Sequence, residues 1–139
     1  MPSDIYNSML RDEAIGSIDF DTDSFKIMLV TSAYAPNIDT DTRRSNVTNE
    51  VVGTGYTAGG IAITCSVGAV DTVNNRVVLT FAAVSWPAST ITARGAVIYK
   101  SRGGAAANDE LVCYDDFAAD FASASSTFNV AATTVTKQN

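Results

Sequence analysis

The stretch Ser24-Phe25-Lys26-Ile27-Met28-Leu29-Val30-Thr31 decides the fold class. Apart from Lys26 its interior is apolar, without the polar alternation of a strand that keeps one face wet. It therefore predicts a strand buried on both faces. Residues 61–67, 75–84, 90–100, 111–117 and 126–135 supply further strands, rich in Val, Thr, Ile and aromatics, whose branching or bulk favours extended backbone. Val73-Asn74-Asn75-Arg76 is expected to be a hairpin turn, because Asn tolerates positive φ. Trp86-Pro87 is expected to end the hairpin before it, and residues 101–110 to form a flexible polar turn.

Upstream, residues 4–15 read as a helix. Ile5, Met9 and Asp12 share one face, with Tyr6 and Leu10 beside them, Ser3 or Asp4 as a cap and Gly16 as the stop. Residues 37–49 are polar and predict a long exposed loop, followed by the glycine-rich run from Gly53 to Gly60, read as a bulged or kinked lead into a strand. Roughly eight strands thus follow one helix, with no alternating βα pattern. The expected fold is all-β (mainly), an antiparallel β-sandwich, jelly-roll-like, with a short N-terminal helix. It is expected as a single domain over residues 1–139 ending in an extended C-terminal strand or tail.

Composition narrows the function. The 139 residues are 46% hydrophobic and 17% charged, with a net charge of −6 and no histidine. Only Arg43 and Arg44 stand side by side as bases, so a phosphate-neutralising stripe is missing and nucleic acid is not an expected partner. No apolar run approaches the roughly 18 residues of a membrane span, and Met-Pro-Ser-Asp-Ile-Tyr does not read as a secretion signal. Synthesis in a cytoplasm and no membrane partner are expected. Cys65 and Cys113 lie in apolar, strand-like runs, and two buried thiols are favoured over a disulfide.

The chemistry-bearing residues form few recognisable constellations. Asp19, Asp21 and Asp23 alternate, and Asp39 and Asp41 follow suit; either set could face a hard cation. An EF-hand counted from Asp19 would, however, place Ser24 where glycine is needed and Val30 where glutamate is needed. Solvated turns are the favoured reading for both. Gly53 to Gly60 lacks the lysine of a Walker loop and leads into a strand, not a helix. Asp12-Glu13, Asp109-Glu110 and Asp115-Asp116 are carboxylate neighbours, but adjacent strand residues face opposite ways and do not converge on one bond. Phe81, Trp86, Tyr99 and Tyr114 are expected in the core, with a stacking surface as the alternative. No catalytic, cofactor-binding or metal-binding residue is assigned, and an enzyme is not expected.

One resemblance adds to this. Asp21-Thr22-Asp23, Thr31-Ser32-Ala33-Tyr34-Ala35-Pro36, and Val47-Thr48-Asn49-Glu50-Val51 running into Gly53-Thr54-Gly55-Tyr56-Thr57-Ala58-Gly59-Gly60 resemble a family of small tailed-bacteriophage virion structural proteins. Trp86, Ser89-Thr90-Ile91-Thr92-Ala93-Arg94, Ala96-Val97 and Tyr99-Lys100 continue the likeness, which covers roughly residues 15–117. It implies a virion component, first a capsid decoration (cement) protein that bridges the major capsid protein on the capsid surface as a homo-oligomer, dimer or trimer. The alternatives are a tail, baseplate or fibre-associated subunit, or a carbohydrate-binding module on the virion. Residues 1–15, 37–49 and 133–139 are the expected contact elements.

Overall fold

A computed structural model describes residues 3–139. They form a two-sheet antiparallel β-sandwich with one short helix near the N-terminus, as the strand pattern predicts. In chain order the elements are β1 (Ser3–Ile5), α1 (Asn7–Ala14), β2 (Phe25–Val30), β3 (Ile61–Ile63), β4 (Cys65–Val67), β5 (Arg76–Phe81), β6 (Val84–Lys100), β7 (Leu111–Val130) and β8 (Thr133–Gln138). The larger sheet has the order β1-β7-β6-β2-β3, and the smaller one β4-β5-β8.

The two sheets share one construction. Phe81 pairs with Thr133 in the smaller sheet and Val84 with Val130 in the larger, so the register runs straight across the bend at residues 82–83 and 131–132. A single double-stranded ribbon, closed at residues 101–110, therefore folds over and contributes to both layers. Between the layers lies the main core: Ile27, Leu29, Ile98, Val112, Cys113, Leu79 and Val135, with Phe20, Phe25 and Phe81 in ring contact. The second cluster, Met28, Val30, Val97, Tyr99 and Tyr114, packs with Tyr6, Tyr34 and Val47. β2 is thus buried on both faces, as its composition requires.

Several boundaries differ from the sequence reading. The helix begins at Asn7, not residue 4, because residues 3–5 are drawn into the large sheet opposite Asp115, Tyr114 and Cys113. Tyr6 occupies the N-cap without a side-chain cap, so neither Ser3 nor Asp4 serves there. The stop is as expected: Gly16, at φ +79°, and Ser17 donate their N–H groups to Glu13 and Asp12 carbonyls, a Schellman ending. Residues 61–67 are two strands that pair in different sheets. Trp86-Pro87 does not end a strand; a register shift between Trp86 and Ser89, with Ala88 at φ +49°, absorbs the proline inside β6. Residues 111–117 and 126–130 belong to one bulged strand, and β8 starts afresh at Thr133. The turn before β5 holds Asn75 at φ +53°, closed by Asp71 through the N–H groups of Val73 and Asn74.

Candidate interaction surface

The acidic stretches are absorbed by local structure. Asp19 and Asp23 close a local turn, the Asp19 carboxylate accepting from the Asp21 N–H and the Asp23 carboxylate from the Asp19 N–H, while Asp23 pairs with Lys100 at 2.8 Å. A Thr22 hydrogen bond, then the Asp21 N–H, holds the Asp19 carboxyl below the ordinary carboxylate value. Asp41 accepts from the Tyr34 hydroxyl and the Asn37 N–H, and Asp39 accepts from the Asn7 amide. Among the described residues no three Asp, Glu, Cys or His side chains are grouped to hold a metal ion.

The 37–49 loop is largely exposed but tied to the body. Arg43 reaches the buried carboxylate of Asp12 at 3.1 Å, and Arg44 reaches buried Asp109 at 2.8 Å while lying over the Tyr99 ring. The adjacent bases are thus taken up by internal pairs. The glycine-rich run lies against β2 and β6. A Cβ on Gly60, at φ +75°, would sit 1.8 Å from the Ile27 carbonyl oxygen. Glu50 anchors this loop by accepting from the Tyr56 hydroxyl and the Gly59 N–H. No sequence motif announces that role for Glu50; its partners come from the fold.

The carboxylate neighbours take different partners, but only Asp115 and Asp116, both in β7, are separated by strand alternation; Asp12 and Glu13 lie on α1, and Asp109 and Glu110 precede β7. Asp12 meets Arg43 and Glu13 meets Lys137; Asp109 meets Arg44 and Glu110 meets Arg102; Asp116 meets Arg94, whereas Asp115 points inward. Phe81, Trp86, Tyr99 and Tyr114 are all buried, so none forms an exposed stacking surface. Cys65 and Cys113 are free thiols, but only Cys113 is fully buried and Cys65 is half-buried, because β4 lies at a sheet edge. Burial pushes the Cys65 thiol up to about 11 and the Cys113 thiol well above its ordinary value, with Asp115 and Cys65 adding to the latter. Both are poor nucleophiles in this state.

Asp115 is the least expected interior group. It is 0% exposed, in the larger sheet, and accepts a hydrogen bond from Thr133 of the smaller one. Its other oxygen has no partner among the described residues. Desolvation pushes its carboxyl up to about 6, opposed by the Thr133 hydrogen bond.

The surface feature that stands apart is the outer side of β7. β1 covers β7 only opposite Cys113, Tyr114 and Asp115; beyond that, β6 is its one paired strand. Between Ala93 and Gly95 the partner jumps from Phe121 to Asp116, so residues 117–120 form a bulge, with Ala118 at φ +65°. Asp116 fixes it by accepting from both the Ala118 N–H and Arg94. The bulge leaves Phe121 54% exposed, edge-on to Phe117. Beside it runs a mainly apolar groove of about 420 Å³, its rim formed by Phe121, Ala122, Thr127, Asn129 and Ala131 and its floor by Phe117 and the buried Phe128 and Val130. Over residues 117–136 the only charged side chain is Asp120. That neutral run is visible in the sequence; the bulge is not.

No family model, curated protein or solved structure matches this chain. Among the described residues no helix is long and apolar enough to cross a membrane.

Proposed function

We infer that this chain is a non-enzymatic structural subunit of a tailed-phage virion, first of all a decoration protein that bridges capsid subunits. The observation that carries the reading is the groove beside Phe121 on β7, mainly apolar and without a charged side chain in its lining, on a molecule of net charge −6. A protruding ring, Phe121, beside a groove with no charged side chain in its lining is the kind of surface through which a small domain can contact another protein. The likeness of residues 15–117 to phage virion proteins supplies the setting.

Physically, cementing is adhesion at several points by a stiff body. The folded-over ribbon provides the stiffness, since bending it would separate sheets that share one register and one core. Of the three expected contact elements, residues 3–15 and β8 are themselves built into the fold: Tyr6 and Met9 are buried, and Thr133 and Val135 pack inward. The first two residues of the N-terminal element lie outside the described residues. These segments support the body while still presenting Leu10, Ile15 and Thr136 to the outside, and β7 and the exposed side of the 37–49 loop join them as proposed contact surfaces.

The test is co-sedimentation of the purified chain with phage shells that lack it. Saturable binding, with a fixed ratio to the major capsid protein, supports decoration. Binding to isolated tails instead would favour the tail or baseplate alternative. The glycan-binding alternative requires exposed rings on one face; Trp86, Tyr99 and Tyr114 are interior and Phe121 is exposed, and binding of the chain on a glycan array would favour it.

A further inference from the structure

The ribbon that builds both sheets bends at residues 82–83 and 131–132, and Thr133 is the first residue of β8 after that bend. Its hydroxyl donates to the Asp115 carboxylate on β7, so one hydrogen bond spans the two sheets beside the hinge. Thr133 is 1% exposed and Asp115 0%, and the second Asp115 oxygen has no partner among the described residues. A charge on Asp115 is thus cut off from water and held by a single hydrogen bond, which does not replace its hydration. β8 is the element best placed to give way. It has six residues, lies at the edge of the smaller sheet and pairs with β5 alone. Of those six only Thr133 and Val135 are buried, so its opening hydrates Asp115 without dismantling β2 and β6.

No neighbouring side chain neutralises that charge. In register, Asp115 faces Ala96 on β6 and Ser3 on β1. Cys113 and Tyr114 on its own strand are the titratable groups that feel it, and burial keeps both neutral. From β4, Cys65 acts on Cys113, and from β1, Asp4 acts on Tyr114. The remaining charges of the packed elements are taken up elsewhere: Asp12 of α1 by Arg43, Glu13 by Lys137 of β8, and Asp116 by Arg94. Among the described residues no cation pairs with Asp115; besides the Thr133 hydrogen bond, only positive charge at the N-terminus opposes the effect of its burial.

We propose that Asp115 and Thr133 form a pH-sensitive latch across the ribbon bend, holding β8 against the larger sheet while Asp115 is protonated and letting β8 open once Asp115 ionises. The latch belongs to the chain itself and does not depend on the virion role.

Amide hydrogen exchange of the full chain near pH 5 and near pH 7.5, corrected for the intrinsic rate at each, tests it. The β8 amides are expected to exchange faster than those of β2, through an opening smaller than global unfolding. With the carboxyl at about 6 when β8 is closed and at the ordinary 3.8 when it is open, the opening constant rises about tenfold between the two conditions. The direction follows from the sign: the closed form holds the proton more tightly, so raising the pH favours the open one. In Asp115→Asn the rise disappears. Thr133→Val, which keeps the shape and removes the donor, speeds β8 exchange at both pH values. Four results each overturn the latch: β8 amides no faster than those of β2, an opening constant indifferent to pH, a rise that survives in Asp115→Asn, or wild-type β8 exchange in Thr133→Val.

Discussion

Replacing Asp115 with asparagine removes a charge from between the two sheets while keeping an acceptor for Thr133. The carboxyl is held at about 6 in the fold against an ordinary 3.8. Between those values the folded chain binds a proton that the unfolded chain has released. Wild-type stability from this group is therefore greatest below pH 3.8, falls as pH rises to about 6, and stays low above. At about 1.36 kcal/mol per pH unit the loss amounts to about 3 kcal/mol at neutral pH. Asparagine does not titrate, but its amide would place a donor where the Asp115 oxygen that has no partner among the described residues sits, costing about 1 kcal/mol. The net expectation is that Asp115→Asn is more stable than wild type by about 2 kcal/mol at pH 7.5 and less stable by about 0.5 kcal/mol near pH 4. Urea unfolding followed by the fluorescence of the single tryptophan, Trp86, reads this directly, because Trp86 is buried in the same core. Using the difference between variant and wild type cancels the titration of the other carboxylates. A difference that does not change with pH, or that favours wild type at pH 7.5, would refute the reasoning.

Three further outcomes follow from the packing. Gly60→Ala drives a Cβ into the Ile27 carbonyl at a left-handed position, and is expected to prevent folding or to cost more than about 3 kcal/mol, measured by thermal unfolding. Arg43→Met leaves the 2% exposed Asp12 without its cation and is expected to cost about 1–2 kcal/mol, discounted for the partial exposure of Arg43. Adding Asp12→Asn should recover part of that loss in a double-mutant cycle. Phe81→Ala opens a cavity where Phe20 and Phe25 meet it and is expected to cost about 3–5 kcal/mol in urea unfolding.

What was legible in the sequence was what depends on local pattern. The apolar run at 25–30, the Asn-rich turn before β5 and the Gly16 stop each carry their own signal, and each behaves as read. Length and pairing were less legible, because they are decided by neighbours. Three residues at 3–5 cannot form a strand alone, and only the exposed edge of β7 at Cys113 to Asp115 makes them one. Pro87 looks like a break in the sequence, yet a register shift lets β6 pass through it, since a bulge supplies the unpaired position that proline requires. The same blindness hid the surface: alternation could not foresee that four residues would loop out before Phe121 and turn its ring to solvent. Asp115 illustrates the converse case. Adjacency with Asp116 correctly separated the two carboxylates, but which of them faces inward depended on the register with Ala96 and Gly95.

The most direct test of the account is the copy number of this chain relative to the major capsid protein in purified, intact phage particles, by quantitative mass spectrometry. A decoration subunit is expected in hundreds of copies, at a fixed ratio set by the shell lattice. Absence from the particles, with the chain found only free in the infected cell, would contradict it.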